Sequence, residues 1–405
     1  MRVLALGGAG AMGAVAVRTA ASAGTVEHIV VADRDLGAAE GLARELATGP
    51  VPVSARDIDI TDDAALRDAL AEADLVLNTV GPYYRFGLTV LRAAIDTGTH
   101  YLDICDDWEP TIQMLELDAA AAAAGVTAVI GMGASPGVSN LLAAAAAAPL
   151  DSVRDVYTAW PVDVTGRAGG DEISRDQLIG PDGSPTAAAV HWMQQISGTI
   201  TAVRAGTLTE QRPLRPVALE LPGGRRGAAY TVGHPEPVTL HRTLRPTGAS
   251  ANLMVISPSS LAYLDVLRRD IDGGRLTNEA AARRVAKPDL PGIIRSLPRA
   301  LVSKRPGTLP PFFAAAFGDR HGRDTAVLAH LNPAAGIDAL LTDMARATGI
   351  PLALGMSQVA DGTARRPGVH PPDAVIDSGR FFTDLDRELG RTGSPPLILV
   401  EHEYR

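Results

Sequence analysis

A chain with a single cysteine, Cys105, cannot close a disulfide within itself or build a cysteine-rich zinc or iron–sulfur centre. Lysine is almost as scarce. It occurs only at Lys287 and Lys304, so nearly all positive charge is arginine and few side chains remain for Schiff-base chemistry. The nine histidines are scattered with no H-x-x-x-H pair, so no metal site is expected. No uncharged run with helical character approaches the length of about 20 residues that a membrane-spanning helix needs. No signal peptide has room before the first glycines, and one thiol fits a reducing compartment, so the expected location is the cytoplasm. A net charge of −9 argues against nucleic acid or an acidic membrane surface as partner. There is no G-x-x-x-x-G-K-[ST] loop, which excludes a P-loop ATPase, and no Tyr followed four residues later by Lys.

Set against these absences, 46% hydrophobic and 20% charged residues over 405 positions describe a globular protein of two or three domains. The opening stretch Arg2–Leu6 is a short apolar run. It ends in glycines spaced G-x-G-x-x-G: Gly8, Gly10 and Gly13. In a dinucleotide site the first glycine permits a sharp turn out of the strand. The second leaves space for a pyrophosphate at the backbone, and the third lets a helix pack close to the sheet. The pyrophosphate then rests on the N–H groups of a helix start, here Gly10, Ala11 and Met12. A second apolar run, 28–32, ends in Asp33, twenty residues after Gly13, where a carboxylate accepts hydrogen bonds from an adenosine ribose. The plain alternative is a tight turn followed by a capped strand. Asp33 favours NAD, while Arg34 offers a partner for the extra phosphate of NADP. The expected cofactor is NAD, with NADP the alternative.

Strand and helix signals alternate strictly through the first third, with strands expected at 3–6, 28–32, 51–59, 75–80, 101–105 and 126–130. Helices are expected between them, including one over 110–124. This rhythm predicts a doubly wound parallel sheet. After about Pro136 strands appear without intervening helices, at 153–160, 200–204, 217–221 and 228–232. Residues 312–317 and 325–330 read as a hairpin, and 261–304 as mainly helical. Residues 336–360 look helical but should kink or break at Pro351. The expected fold class is α/β, a Rossmann sheet with an inserted α+β substrate domain built on a mostly antiparallel sheet. The expected domains are 1–138 for dinucleotide binding, 139–345 for substrate and dimerisation, and 346–405 as C-terminal helices returning to the first domain.

In open parallel sheets ligands bind at the carboxyl ends of the strands. That rule selects Asp59 as an adenine contact and Asn78, Val80, Gly81, Pro82 and Tyr84 after strand four. After strand five it selects Asp103 and Asp106, and after strand six Ser135, Pro136 and Gly137. Crowded carboxylates raise one another's pKa and can hold an amine, although a solvated acidic loop is the simpler alternative. Pro136-Gly137 before a helix offers N–H groups to an anion, or is an ordinary strand–helix turn. Gly133-Ala134-Ser135-Pro136-Gly137 spells a hydrolase elbow, but Pro136 has no N–H to serve as oxyanion donor.

Four segments, 31–34, 78–83, 100–103 and 133–140, resemble the saccharopine dehydrogenase-like oxidoreductases, most of all enzymes of the lysine ε-dehydrogenase and carboxynorspermidine dehydrogenase type. Segments 348–351 and 368–372 extend the likeness toward the C-terminus. The resemblance implies an NAD(P)-dependent oxidoreductase acting on a carbon–nitrogen bond, amine to imine or the reverse, of a small amine or amino acid, and a homodimer through the second domain. By the same likeness Val80-Gly81-Pro82 lines the nicotinamide ribose, and the 233–237 turn faces the cleft. His234 in that turn is the expected proton shuttle, because a histidine titrates near neutral pH; a solvated turn histidine is the alternative. Tyr84 and Tyr157 are weaker expected substrate contacts. Saccharopine reductases tend to carry Asp-Pro-Gly where Ser135-Pro136-Gly137 stands, which argues against saccharopine itself as substrate. Two other readings remain: an NAD(P)-dependent reductase of an aldehyde or activated double bond, and a non-catalytic redox sensor.

Overall fold

The structure is a computed structural model that describes residues 1–162, 178–180, 183–335, 343–391 and 395–405. The chain forms two compact units. One comprises Met1–Leu141 with Asn332–Ile398, the other Leu142–Leu331 with Leu399–Arg405.

The first unit opens with the predicted alternation: β1 (Arg2–Leu6), α1 (Ala11–Ala20), β2 (His28–Asp33), α2 (Leu36–Glu45), β3 (Val53–Asp57), α3 (Asp63–Ala71), β4 (Leu75–Asn78), α4 (Tyr83–Thr97), β5 (His100–Asp103), α5 (Trp108–Leu115), α6 (Asp118–Ala123), β6 (Thr127–Val129) and α7 (Val138–Ala147). Local chemistry sets the boundaries. Asp62 caps α3 by accepting from the N–H groups of Ala64 and Ala65, and Gly98, left-handed at φ 72°, ends α4. The helix expected over 110–124 is broken in two at Glu116-Leu117.

The second unit follows with β7 (Ser152–Pro161), α8 (Ala187–Gln195), β8 (Ile200–Arg204), β9 (Thr207–Gln211), β10 (Pro216–Leu221), β11 (Arg225–Val232), α9 (Glu236–Leu244), β12 (Ser250–Val255), α10 (Pro258–Asp272), α11 (Asn278–Ala286), α12 (Leu290–Val302), β13 (Phe313–Arg320) and β14 (Arg323–Leu331). The chain then gives α13 (Met344–Ala360), β15 (Gly368–His370), α14 (Pro372–Val375), α15 (Ser378–Glu388) and β16 (Ile398–Tyr404).

In the first unit the strand order is β15-β6-β5-β4-β1-β2-β3, and every pairing is parallel. The order reverses at β1, which lies between β4 and β2, so the crevice rule points to the ends of β1 and β4. The seventh strand, β15, stands where the sequence reads only as a turn. Three residues ahead of two prolines are too short to carry a periodic signal. Helix α13 runs unbroken through Pro351, contrary to expectation. Its positions from Thr348 to Ala353 are all buried, and Gly349 presses so close to α1 that a Cβ would stand 2.5 Å from the Met12 carbonyl oxygen. Such packing outweighs the hydrogen bond that proline removes.

The second sheet runs β10-β11-β12-β7-β13-β14-β16, with β8 beside β12 and β9 beside β8. It is antiparallel except for β12 on β7. The expected hairpin is β13–β14, closed by His321 and Gly322 at φ 55° and 74°. The last strand pairs with β14 in this sheet, whereas the sequence reading carried the whole of 346–405 to the first domain. Side chains alternate between two cores. Met193, Tyr230, Val232, Met254, Leu261 and Leu264 fill one face. Ala159, Leu219, Leu253, Phe313 and Leu328 fill the other.

Candidate functional site

At the end of β1 the turn is made by Gly7, at φ +68°, one residue earlier than the sequence reading placed it. Gly8 and Gly13 are needed for close packing. A Cβ at Gly8 would stand 2.7 Å from the Ala5 carbonyl oxygen, and one at Gly13 would collide with the Gly7 carbonyl and meet Thr79 Oγ1 at 2.8 Å. Gly10 is different: it is exposed, and its only close neighbour would be the Gly7 carbonyl at 3.2 Å. It precedes α1, whose start carries no side-chain cap. The first turn of a helix presents N–H groups without intrahelical acceptors. Here those of Ala11 and Met12 open the helix beside a bare backbone, an arrangement that suits a pyrophosphate.

Asp33 closes one side of this loop. Its carboxylate accepts from the N–H of Ala9 at 3.2 Å and of Asp35 at 3.1 Å. Arg34 next to it is exposed, and its charge helps hold the Asp59 carboxyl below its ordinary range, after the larger effect of the Thr61 N–H and hydroxyl that donate to Asp59. Thr79 closes the other side and was missed from sequence. It follows β4 directly, and its hydroxyl reaches the carbonyls of Leu6 and Gly7 at 2.9 and 3.0 Å. The signal was its place in Asn78-Thr79-Val80-Gly81-Pro82.

Asn78 is fully buried. It accepts from the Val80 N–H at 3.1 Å and donates to the Tyr101 hydroxyl at 3.0 Å, which in turn donates to Asp103 at 2.8 Å. Val80 and Pro82 are half-buried, Gly81 is exposed with open space above its Cα, and Tyr84 is 58% exposed in the first turn of α4.

Asp103 lies at the end of β5 with no exposed surface. Beyond Tyr101, it accepts from the N–H of Gly131 at 2.6 Å and of Cys105 at 3.1 Å. Burial raises its carboxyl to about 6 against these stabilising donors, with a smaller push from Asp106. Cys105 is buried too, and burial holds its thiol protonated. Asp106 is half-buried. The neighbouring Asp107 accepts from the Tyr84 N–H at 3.2 Å, fastening α4 to this strand end.

The loop after β6 corrects an expectation. Ser135 is half-buried and Pro136-Gly137 do precede α7, but the N–H groups from Gly137 to Ser139 are not offered to an anion. Gly137 donates to Asn140 Oδ1, Val138 to the Gly133 carbonyl and Ser139 to the Ala134 carbonyl. A Cβ on Gly137, at φ +120°, would fall on the Gly133 carbonyl, so the loop is folded onto itself.

In the second unit His234 follows β11 and is buried. Its Nδ1 lies 3.0 Å from Oε2 of Glu236, a residue with no exposed surface. With Nδ1–H donating, the carboxylate accepts and fixes the tautomer that leaves Nε2 as an acceptor. The Trp160 ring lies 5.7 Å away at a 43° tilt, and its Nε1–H donates to Asn252, which donates to Thr158. Gln195 accepts from the Gly233 N–H through its carbonyl, and its side chain meets His191 at 2.7 Å. These residues come from β7, α8, the turn after β11, α9 and β12. Glu236 was visible two residues from His234; a lone Asn inside the apolar 250–255 run was the only other sign. Tyr157 is not brought to this group. It points to the opposite face of the sheet and packs edge-on against Phe317 at 6.1 Å.

Glycine turn, uncapped helix and acidic strand end, all at a strand-order reversal, define a dinucleotide-binding domain of the doubly wound class. Residues 3–129 match the family described as the saccharopine dehydrogenase NADP binding domain, so this part of the chain is an NAD(P)-binding domain of saccharopine dehydrogenase type. The chain is 33% identical over 116 residues to the NADP(+), L-glutamate-forming saccharopine dehydrogenase of Schizosaccharomyces pombe, which covers 29% of this chain and 24% of that protein. It is 48% identical over 59 residues to the saccharopine dehydrogenase-like oxidoreductase of Mus musculus, covering 15% and 13%. The matched stretches thus span at most about a quarter of those relatives. The fold is similar over 100% of this chain and 99% of the other to apo saccharopine dehydrogenase (L-Glu forming) from Saccharomyces cerevisiae, with a TM-score of 0.63 at 16% identity. No helix among the described residues is long and apolar enough to cross a membrane.

Proposed function

We propose that this chain is an NAD(P)-dependent oxidoreductase that moves a hydride between a nicotinamide and a carbon bearing nitrogen, in a small amino acid or polyamine-like substrate. The observation that carries this reading is the bare, uncapped start of α1 at Gly10, inside a domain of saccharopine dehydrogenase type. When bound, the nicotinamide supplies or accepts the hydride.

The residues then have separate tasks. Gly8 and Gly13 hold the loop shut, Gly10 leaves room for the pyrophosphate, and Ala11 and Met12 receive it on main-chain N–H groups. Asp33 accepts from the adenosine ribose, with Arg34 and Asp59 beside the adenine. Val80, Gly81 and Pro82 line the nicotinamide ribose, held by Asn78. Asp103 is a positioning residue, since its three donors are all main-chain or tyrosine groups of its own unit. Asp106 is the carboxylate that holds the substrate's ammonium, with Tyr84 and Ser135 as further contacts on the loop shaped by Pro136 and Gly137. In the second unit His234, oriented by Glu236, is the proposed proton-exchanging group.

NAD is the proposed cofactor, because the charge of Asp33 repels a 2′-phosphate. Calorimetry of the full chain with NAD and NADP tests this, followed by absorbance of the reduced nicotinamide with a panel of amines and amino acids. The expected result is tighter NAD uptake and turnover on an amine. Asp33→Ala should weaken NAD about tenfold more than NADP. Uptake without turnover on any amine or imine overturns the catalytic reading in favour of a sensor.

A further inference from the structure

Helix α12, Leu290–Val302, is built inside out. A surface helix ordinarily turns its apolar stripe to the core and its charges to water. Here Leu290, Ile293, Ile294, Leu297 and Leu301, spaced i, i+3, i+4, i+7 and i+11, form one stripe, and it faces solvent. Their exposures are 68, 42, 58, 54 and 87%, and Val302 adds 76%. These six are half of the large hydrophobic side chains exposed among the described residues.

The inward face is polar. Arg295 clamps the buried carboxylate of Asp270 with two bonds of 2.8 Å, alongside Arg275. Arg299 lies 4.0 Å from buried Asp265 and donates to the Leu214 carbonyl. Gly292 and Ser296 are the buried small residues of the helix, and a Cβ on Gly292 would stand 2.8 Å from the Tyr263 ring. The inner arginines hold the helix onto α10, which leaves its apolar side outward.

Charge identifies what covers that side. Residues 283–305 contain seven Lys and Arg and one acid, Asp289, in a chain of net charge −9. The chain's two lysines, Lys287 and Lys304, bracket the helix, and with Arg283 and Arg305 they are exposed. A second copy seated on the stripe would set two such basic rims against each other. An anionic lipid surface offers both an apolar boundary for the stripe and negative headgroups for the rims.

We propose that α12 is an interfacial helix that docks this protein on an anionic lipid bilayer, lying in the plane of the surface with Leu290, Ile294, Leu297 and Leu301 in the acyl boundary and the flanking cations on the headgroups. The net charge of the whole chain points the other way because it averages over a segregated patch.

The test is sedimentation of the full chain with vesicles of equimolar phosphatidylglycerol and phosphatidylcholine, and with phosphatidylcholine alone. The expected result is binding to the anionic vesicles and about tenfold less to the neutral ones. A Leu297→Glu, Leu301→Glu variant, altered only at exposed positions, should lose binding while keeping its circular dichroism melt. A Lys304→Glu, Arg305→Glu variant should lose at least about tenfold with the apolar stripe intact. Absence of binding to anionic vesicles, or equal binding by the Leu297→Glu, Leu301→Glu variant, overturns the proposal. So does a shift of that variant from dimer to monomer in sedimentation velocity, which assigns the stripe to a second copy.

Discussion

In the first unit the groups proposed to meet the cofactor are main-chain groups. Ala11 and Met12 present N–H donors where a strand ends and a helix begins, Gly10 leaves the space beside them bare, and the side chains around them serve to hold the loop in place. In the second unit the candidate chemistry is carried by side chains, His234 and Glu236, bordered by Trp160, Asn252 and Gln195 from separate elements. A site of the first kind is written in a few consecutive residues. One of the second kind exists only after strands far apart in the chain have paired, as β7 does with β12.

The sharpest way to break this contrast is Gly10→Asp. At Gly10 the backbone has φ −67°, which any residue adopts, and a Cβ meets only the Gly7 carbonyl at 3.2 Å. The protein should therefore fold, while a carboxylate occupies the space of a phosphate and repels it. Cofactor affinity should fall by at least about 100-fold, on the order of 3 kcal/mol. Calorimetric titration with NAD and NADP measures it, and unchanged affinity would remove the loop from the site.

The side-chain half of the contrast is tested at His234. Replacing it by Gln keeps a polar group of similar reach but deletes the imidazole. Turnover on the best amine of the panel should drop about 100-fold or more, with little change in cofactor affinity. Glu236→Gln should fall in the same direction by a smaller factor, because a neutral amide orients the ring less strongly. If His234→Gln turns over like the parent, the second unit contributes no proton transfer and its buried polar group is structural.

The same contrast explains what could be read in advance. The β-α alternation, the glycine spacing and Asp33 were legible because each lies within one stretch of chain and obeys a short period. Thr79 and Gly7 stood next to residues already singled out and were missed for want of the third dimension. The strand β15 was illegible for a different reason: three residues carry no periodicity, and its pairing with β6 is set by packing across some 240 positions. Pro351 misled because local propensity ignores burial, and α13 is buried along most of its length. In the second unit β9 and β12 went unseen among the expected strands, and with β12 went Asn252.

Asp103 lies between the two kinds of site, a side chain spent on holding main chain. Burial puts its folded pKa near 6, above the ordinary carboxylate value of 3.8. Folding thus favours the protonated form, so its contribution to stability is complete below about pH 4 and is lost as the pH rises through about 6. Asp103→Asn stays neutral and keeps an Oδ1 acceptor for Gly131 and Cys105. Between pH 4 and pH 6 the parent should lose stability relative to this variant, by an amount on the order of 3 kcal/mol at full ionisation. Thermal unfolding at a series of pH values reads the difference, and parallel curves would show that the carboxyl is already ionised at low pH.

The smallest effect is expected at Tyr157, and its smallness is informative. From sequence Tyr157 and His234 were both candidates for contact with substrate, but period-two alternation along β7 sends Tyr157 to the face that carries Phe317 and Trp160 to the face that carries His234. Its hydroxyl is mostly buried, and burial pushes its pKa up to about 12, so it stays protonated in any assay near neutral pH. Tyr157→Phe keeps the edge-on contact with Phe317 and deletes only the hydroxyl. kcat/KM should stay within about twofold of the parent, and stability should change by no more than about 1 kcal/mol. A loss of tenfold or more in kcat/KM would mean that both faces of the second sheet serve the reaction, and the division of labour drawn here between its two cores would fail.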